Sequence, residues 1–295
     1  VFYGLVQKKR GMNELKDLTV NERTKMLLSV CVGDALGAPL EFLKRLPTRA
    51  EIQNALKMRG GGIIGVEPGQ VTDDSEMMIC LYNSIIDGEE NAFEYYKKWM
   101  KSKPIDIGIT TRRALSGIEP TEESQSNGSL MRCAPIGFLY NGKSDDFIAQ
   151  KAREDASLTH ANTTVQDATA CYCIALAHSL NGRNGYIAAM NWVKNKEVRD
   201  WLLESTEDLL VVGSDGYVRW GFIMAFWHLQ HSHSFVDAMI DTMSRGGDTD
   251  TNCAIVAGLV ATKYPAPEYM IDAVVNSDSG RPYWIHPKSL YQTCH

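Results

Sequence analysis

Thr72-Asp73-Asp74-Ser75 stands just before the apolar run 77–86, and Gly246-Gly247-Asp248-Thr249-Asp250-Thr251 stands just before a second run, 253–261. Apolar residues recur three and four apart in both runs, so each acidic string marks a helix N-terminus. Neighbours on a helix point about 100° apart, so Asp73 and Asp74 cannot share one helical face. They converge only where the chain turns into the helix. There Asp and Thr cap free N–H groups and meet the positive end of the helix dipole. One such residue per helix is enough for capping. Four carboxylates with several hydroxyls are a surplus, and that surplus suits a site gathering oxygen ligands around a hard cation.

The same period runs outward from these strings. It predicts helices over 21–33, 75–87, 91–100, 145–157, 164–180, 185–193, 217–230, 234–243 and 252–263. Asn91-Ala92-Phe93-Glu94 reads as an N-cap followed by an acidic first turn. Clean alternation is scarce, and Val211-Val212 is the best strand fragment. The fold class expected is all-α. No Pro- or Ser-rich linker and no fixed-period repeat divides the chain, so a single domain over 1–295 is expected, with 1–20 as an N-terminal extension. Glycine-rich loops at 59–72, 124–129, 212–216 and 244–251 suit a compact bundle that collects its loops at one end, where sites form.

Composition narrows the function classes. Hydrophobic residues make up 44% and charged residues 22% of the chain, with a net charge of -6. General basicity therefore offers no grip on nucleic acid, and Lys8-Lys9-Arg10 reads as a solvated triplet. No apolar run approaches the roughly 18 residues that span a bilayer. The stretch 1–6 is too short for a signal-peptide core, and its basic residues follow it. The cysteines lack a finger-like spacing and mostly sit in apolar segments, as Cys31, Cys80, Cys171, Cys173 and Cys253 do. That pattern suggests buried free thiols in a reducing, cytoplasmic compartment.

Other motifs divide between bland and chemical readings. Gly60-Gly61-Gly62-Ile63-Ile64-Gly65 matches G-x-G-x-x-G, but a basic helix-like stretch precedes it and Val66-Glu67-Pro68-Gly69 follows. A dinucleotide fingerprint needs a strand before and a helix after, so that reading is rejected. Small residues at Gly33, Ala35, Gly37 and Ala38 read as close helix packing, which leaves Asp34 and Glu41 as acids needing a reason. Asn127-Gly128-Ser129-Leu130-Met131-Arg132 is a plain polar turn when taken alone, although its N–H groups are able to cradle phosphates. His160 alone reads as a structural hydrogen-bonder, and His228, His231 and His233 as a polar helix end without a completing Cys or acid.

Together, and in chain order, these strings resemble the ADP-ribosylglycohydrolase family. The pieces are Gly33-Asp34-Ala35-Leu36-Gly37 with Glu41, Thr72-Asp73-Asp74-Ser75, Asp106-Ile107-Gly108-Ile109-Thr110-Thr111, and Asn127 through Pro135. Thr159-His160, Gly216-Tyr217-Val218 and Gly246 through Asn252 complete the set. Each is weak by itself, whereas the paired Thr-Asp-Asp and Gly-Gly-Asp-Thr-Asp-Thr strings with Asn-Gly-Ser-Leu-Met-Arg between them are specific. One departure is Ser75 where many relatives carry Thr, which keeps the hydroxyl.

The resemblance implies an orthogonal all-α bundle with a cleft for two Mg²⁺ ions, or Mn²⁺, held by Thr72, Asp73, Asp74, Asp248, Asp250 and Thr251. It implies a catalytic group of Asp106 as acid/base, Glu41 near the metals and Asp73. It also implies substrate contacts from Gly108, Asn127, Gly128, Ser129, Met131 and His160, with Tyr217 packing on the ligand. The expected reaction releases ADP-ribose from a protein arginine. Ala134-Pro135 after Met131-Arg132 resembles the arginine-directed branch, which includes enzymes that reactivate dinitrogenase reductase. The expected partners are an ADP-ribosylated protein and ADP-ribose, with no nucleic acid and no membrane, acting on a monomeric enzyme. Two rivals stand beside this reading: an ADP-ribose-binding protein without turnover, and a binuclear-metal nucleotide phosphohydrolase. Serine and O-acetyl linkages are further substrate options.

Overall fold

The computed structural model describes residues 20–207, 209, 211–213 and 216–291. The expected N-terminal extension with Lys8-Lys9-Arg10 lies outside the described residues, apart from Val20 at the start of the first helix. Helices make up the described chain in the order α1 (Val20–Gly37), α2 (Arg49–Ala55), α3 (Asp73–Ile86), α4 (Phe93–Lys101), α5 (Ile109–Leu115), α6 (Ala134–Leu139) and α7 (Asp145–Ser157). There follow α8 (Thr163–Leu180), α9 (Gly185–Trp192), α10 (Lys196–Trp201), α11 (Val218–His231), α12 (Phe235–Ser244), α13 (Thr249–Val260) and α14 (Glu268–Val275). Short 3₁₀ turns cover Ala38–Leu40, Tyr283–Ile285 and Pro287–Tyr291. The all-α expectation holds. Val211-Val212 is not a strand: Val211 is buried in the core and Val212 lies in a turn against Gly246. Pairing among the described residues is limited to isolated bridges, Gly61 with Val66 and Ser126 with Tyr217.

Two helices form the spine. Every residue of α13 is buried, and α8 is buried along nearly its whole length. A helix apolar on all sides belongs at the centre of a bundle. α13 packs most extensively on α1 and next on α11. Small residues permit the first contact. A Cβ at Gly33 would stand 2.7 Å from the Ala257 Cβ, and one at Gly37 would meet the backbone of Thr249 and Asp250. The packing reading of Gly33 and Gly37 therefore holds. It has a chemical consequence, because this crossing brings the end of α1 against the acidic start of α13.

α3 adds a third N-terminus at the same place. Its residues 73–82 are all buried, so its first turn lies inside the molecule. Glu76 is fixed there by Trp99 Nε1 at 2.6 Å and by Arg281 Nε at 2.6 Å. Arg281 also donates to the Ser102 carbonyl at 2.9 Å, so one C-terminal guanidinium joins α3 to the end of α4. No helix among the described residues is long and apolar enough to cross a membrane. The six described cysteines are free and buried, and Cys294 lies outside the described residues.

Candidate active site

Thr72 is the N-cap position of α3, yet its side chain makes no capping bond. The capping oxygens come from α1. Asp34 accepts from Thr72 N–H at 3.0 Å, from Ser75 N–H at 3.1 Å and from Ser75 Oγ at 2.5 Å. The Thr72 hydroxyl lies 2.9 Å from Asp74 Oδ2 and 3.0 Å from Asp34 Oδ1. Asp34 thus satisfies two of the orphan donors of α3, at Thr72 and Ser75, so neither Asp73 nor Asp74 serves as the cap. That role was not legible in the local sequence. The signal lay in glycines at Gly33 and Gly37 flanking an acid with no partner nearby.

Two carboxylate groups result. Asp34, Asp74 and Asp250 present oxygens within 4.8 Å of one another, as do Glu41, Asp248 and Asp250. Asp250 belongs to both. Asp74 Oδ1 and Glu41 Oε2 are buried without a hydrogen-bond partner. A buried acceptor left without a donor is costly, and a divalent cation satisfies it. The donor set is all oxygen, which fits a hard cation rather than a soft one. Burial, reinforced by the Asp248 and Asp106 charges, pushes the Glu41 carboxyl up to about 9. Burial first, then neighbouring carboxylates, holds Asp73, Asp74 and Asp250 well above the usual range. Burial raises Asp34 to about 6 against the opposing pull of its bonds from Ser75 and Thr72. Mutual repulsion of this kind is relieved by protons or by a metal.

The clusters open into a cleft of about 450 Å³. Among the expected site residues, Glu41, Asp73, Asp106, Gly108, Asn127, Gly128, Met131, Asp248, Asp250 and Thr251 line it. Asn127 Nδ2 donates to Asp248 Oδ2 at 2.8 Å, and Gly108 N–H lies 3.4 Å from Asp73 Oδ2. Asp106 is half-buried on the lip. It does not cap α5, whose N-cap is Gly108 with no side-chain capping bond.

Thr72, Asp74, Ser129, His160 and Tyr217 do not line the cleft. Thr72 and Asp74 lie beneath it in the network with Asp34. The Ser129 hydroxyl is buried 3.2 Å from Thr169 Oγ1. His160 is buried between Ser126 Oγ at 2.9 Å and Thr159 Oγ1 at 2.7 Å. Burial, and then the Arg132 guanidinium, hold its pKa down to about 3, so the ring is neutral at ordinary pH. Tyr217 packs edge-on against Trp201 and Trp220, and its backbone bridges Ser126. These side chains brace the Ser126–Gly128 turn from behind.

Arg132 anchors that turn. It is fully buried and pairs with Asp155 at 2.9 Å, while donating to Thr159 Oγ1 at 2.8 Å and to the Gly128 carbonyl at 3.2 Å. Its guanidinium also lies over the Tyr96 ring, 4.6 Å from the centroid. The remaining motifs resolve as their bland readings. Gly60–Gly65 forms a turn closed by Gly61 and Val66, with no strand before it and no helix after. His228 bonds Ser232 and Asp241, and neither carboxylate cluster contains a histidine.

The chain has relatives among known proteins over most of its length. The ADP-ribosylglycohydrolase family profile matches residues 18–283. An ADP-ribosyl-dinitrogen-reductase glycohydrolase of Rhodospirillum rubrum is 29% identical over 251 residues, 80% of this chain and 83% of its own. An ADP-ribosylarginine hydrolase of Serratia proteamaculans is 26% identical over 279 residues, covering 85% and 75%. A solved structure titled ADP-ribosylglycohydrolase-related protein complex superposes with a TM-score of 0.73 at 25% identity, over 94% of this chain and 99% of that one. A profile match over most of the chain, on an all-helical bundle, shows that the chain belongs to the ADP-ribosylglycohydrolase family.

Proposed function

We propose that the protein hydrolyses the N-glycosidic bond between ADP-ribose and a protein arginine, with two Mg²⁺ or Mn²⁺ ions as cofactors. The observation carrying this reading is the pair of carboxylate clusters joined by Asp250, with a bare buried oxygen on Asp74 and another on Glu41. Asp250 belongs to both clusters, so its charge would help to hold both cations. Thr72, Asp73, Asp74, Asp248, Asp250 and Thr251 would hold them, with Glu41 beside the site. Bound there, the ions supply positive charge against the carboxylates and Lewis acidity toward ribose hydroxyls and water.

The chain's own residues do the rest. Asn127 and Gly128 form the wall that meets the pyrophosphate side of the ligand, stiffened from behind by Ser129, His160 and Arg132. Gly128 lines the cleft, and among the described residues no acceptor is bonded to its N–H. Met131 and Gly108 close the wall on either side, and Tyr217 fixes the adjoining backbone through Ser126. Cleavage at the ribose C1 builds positive charge on the sugar, which the acidic floor favours. Asp106, on the lip, exchanges a proton with the departing guanidine.

Arginine is favoured as the acceptor by Ala134-Pro135 after Met131-Arg132, and by the named activity of the Serratia proteamaculans relative. Retention of Asp73, Asp74, Asp248 and Asp250 supports turnover over simple binding. The test is incubation with arginine-, serine- and O-acetyl-linked ADP-ribose, with Mg²⁺ or with chelator. Free ADP-ribose and unmodified arginine, formed only with metal, are expected. AMP or phosphate as product would assign a phosphohydrolase, and binding without turnover of any substrate would overturn catalysis.

A further inference from the structure

The α4–α5 side of the cleft mouth carries a charge pattern opposite to the floor, while Glu119, Glu122 and Glu123 precede Ser124, which bonds Thr110 on the other side. Residues 97–113 hold six cations against one acid, Asp106, in a chain whose net charge is -6. Two of the six are engaged. Lys97 pairs with Glu94 at 3.1 Å, and Lys98 lies over the Trp284 ring at 4.2 Å. Lys101, Lys103, Arg112 and Arg113 are exposed, and none of them forms an ion pair among the described residues. Lys101 ends α4, Lys103 lies two residues on in the connection to α5, and these two helices pack on each other. On α5, Arg112 and Arg113 are three and four residues after Ile109, so all three share one face. Ile109 lines the mouth of the cleft and is 80% exposed, and Ile105 in the preceding connection is 40% exposed.

From this arrangement we infer that the α4–α5 lip is a docking surface for an acidic stretch of the modified protein beside its ADP-ribosylated arginine. The inference rests on the reaction proposed above. The modified side chain must pass this lip to reach Asp106, so residues flanking it in the substrate meet Lys101, Lys103, Arg112 and Arg113. Unpaired cations at a rim attract acidic groups and steer their approach. The interleaved isoleucines suit a protein surface, where apolar side chains and arginine pair well. They suit a phosphate backbone poorly, and the acidic whole repels a polyanion.

The probes are two short synthetic peptides, each carrying one ADP-ribosyl-arginine, one flanked by glutamates and the other by lysines. Both kcat/KM and affinity by fluorescence anisotropy are measured for the wild type, for Arg112→Gln/Arg113→Gln and for Lys101→Gln/Lys103→Gln. Wild type should prefer the glutamate peptide by about tenfold, through KM, with the preference shrinking as salt rises. In each double variant the preference should fall toward unity, while kcat on free ADP-ribosyl-arginine stays at the wild-type value. Equal affinity of wild type for both peptides would overturn the docking surface, and so would variants that lose turnover on the free substrate in parallel. Tight binding of single-stranded DNA at physiological salt, lost in the same variants and joined to equal peptide affinities, would reassign the lip to nucleic acid. If neither peptide is turned over, the proposed reaction fails, and the anisotropy preference still decides the docking surface.

Discussion

Asp34 and Thr72, thirty-eight residues apart, are joined by three contacts: the Asp34 carboxylate accepts from the Thr72 N–H at 3.0 and 3.1 Å and from its hydroxyl at 3.0 Å. An acid from one helix caps another, so Asp73 and Asp74 of the capped helix are not used as its cap, and Asp73 lines the cleft. Five more carboxylates stand nearby in Glu41, Asp73, Asp74, Asp248 and Asp250. The Asp34 carboxylate is spent on capping, whereas Asp74 and Glu41 each keep one buried oxygen without a hydrogen-bond partner.

That division predicts opposite effects on folding. Asp34→Ala strands the Thr72 N–H, the Ser75 N–H and the Ser75 hydroxyl in the interior, and should cost about 2–4 kcal/mol. Asp74→Ala removes an anion that burial and neighbouring charge already penalise, so the metal-free protein should keep its stability or gain some. Urea unfolding of both variants in chelator measures the difference. A similar loss in both would show that Asp74 is as structural as Asp34.

Metal removal should abolish turnover, and Mg²⁺ or Mn²⁺ should restore it. The same ions should stabilise the native state by about 2.7 kcal/mol at a hundred times their Kd. Asp250→Asn should lose most of this gain, because Asp250 belongs to both clusters. Full activity in excess chelator, with metal shown absent by elemental analysis, contradicts the assignment.

Asp106→Asn should lower kcat by roughly 10²–10⁴ while ADP-ribose and metal still bind. Its melting temperature should stay at the wild-type value, because α5 is capped at Gly108 and not by Asp106. Near-normal kcat on ADP-ribosyl-arginine removes Asp106 from the catalytic group.

His160 should write itself into the acid stability of the fold. Its pKa is held at about 3, below the ordinary imidazole value of 6.5. Between those limits the unfolded chain binds a proton that the folded chain refuses, so stability is present above 6.5 and is lost as pH falls. The slope for one such group is about 1.4 kcal/mol per pH unit. His160→Gln should lack this component, so the stability difference between wild type and variant should shrink as pH drops from about 6.5 to about 4.5. A constant difference across that range means the imidazole protonates as readily inside as outside.

ADP-ribose should raise the melting temperature by binding the native state alone. Gly128→Val should suppress that rise, since even a Cβ there stands 3.1 Å from His160 Cε1 and from Thr111 Oγ1. Ser129→Ala should leave most of the rise in place, because the hydroxyl it removes faces Thr169. Calorimetry showing no ADP-ribose binding with Mg²⁺ present refutes the ligand itself.

The helical architecture was readable in the sequence because the long helices carry their own period. The expected 145–157 coincides with α7 at Asp145–Ser157, and 164–180 misses the start of α8 by one residue. Five helices went unread: Arg49–Ala55, Ile109–Leu115, Ala134–Leu139, Lys196–Trp201 and Glu268–Val275. Each spans about two turns, too few for a period to show. The acidic strings announced a cluster of carboxylates because capping alone does not use that many. Their partners were decided by the tertiary structure. Close approach at Gly33 and Gly37 carries Asp34 to the start of α3, and folding turns Ser129 and His160 behind the wall that Asn127 and Gly128 present. Local sequence sets which backbone groups a residue can reach within a turn or two of helix. Which residues share a buried site is set by long-range packing, which no local pattern encodes.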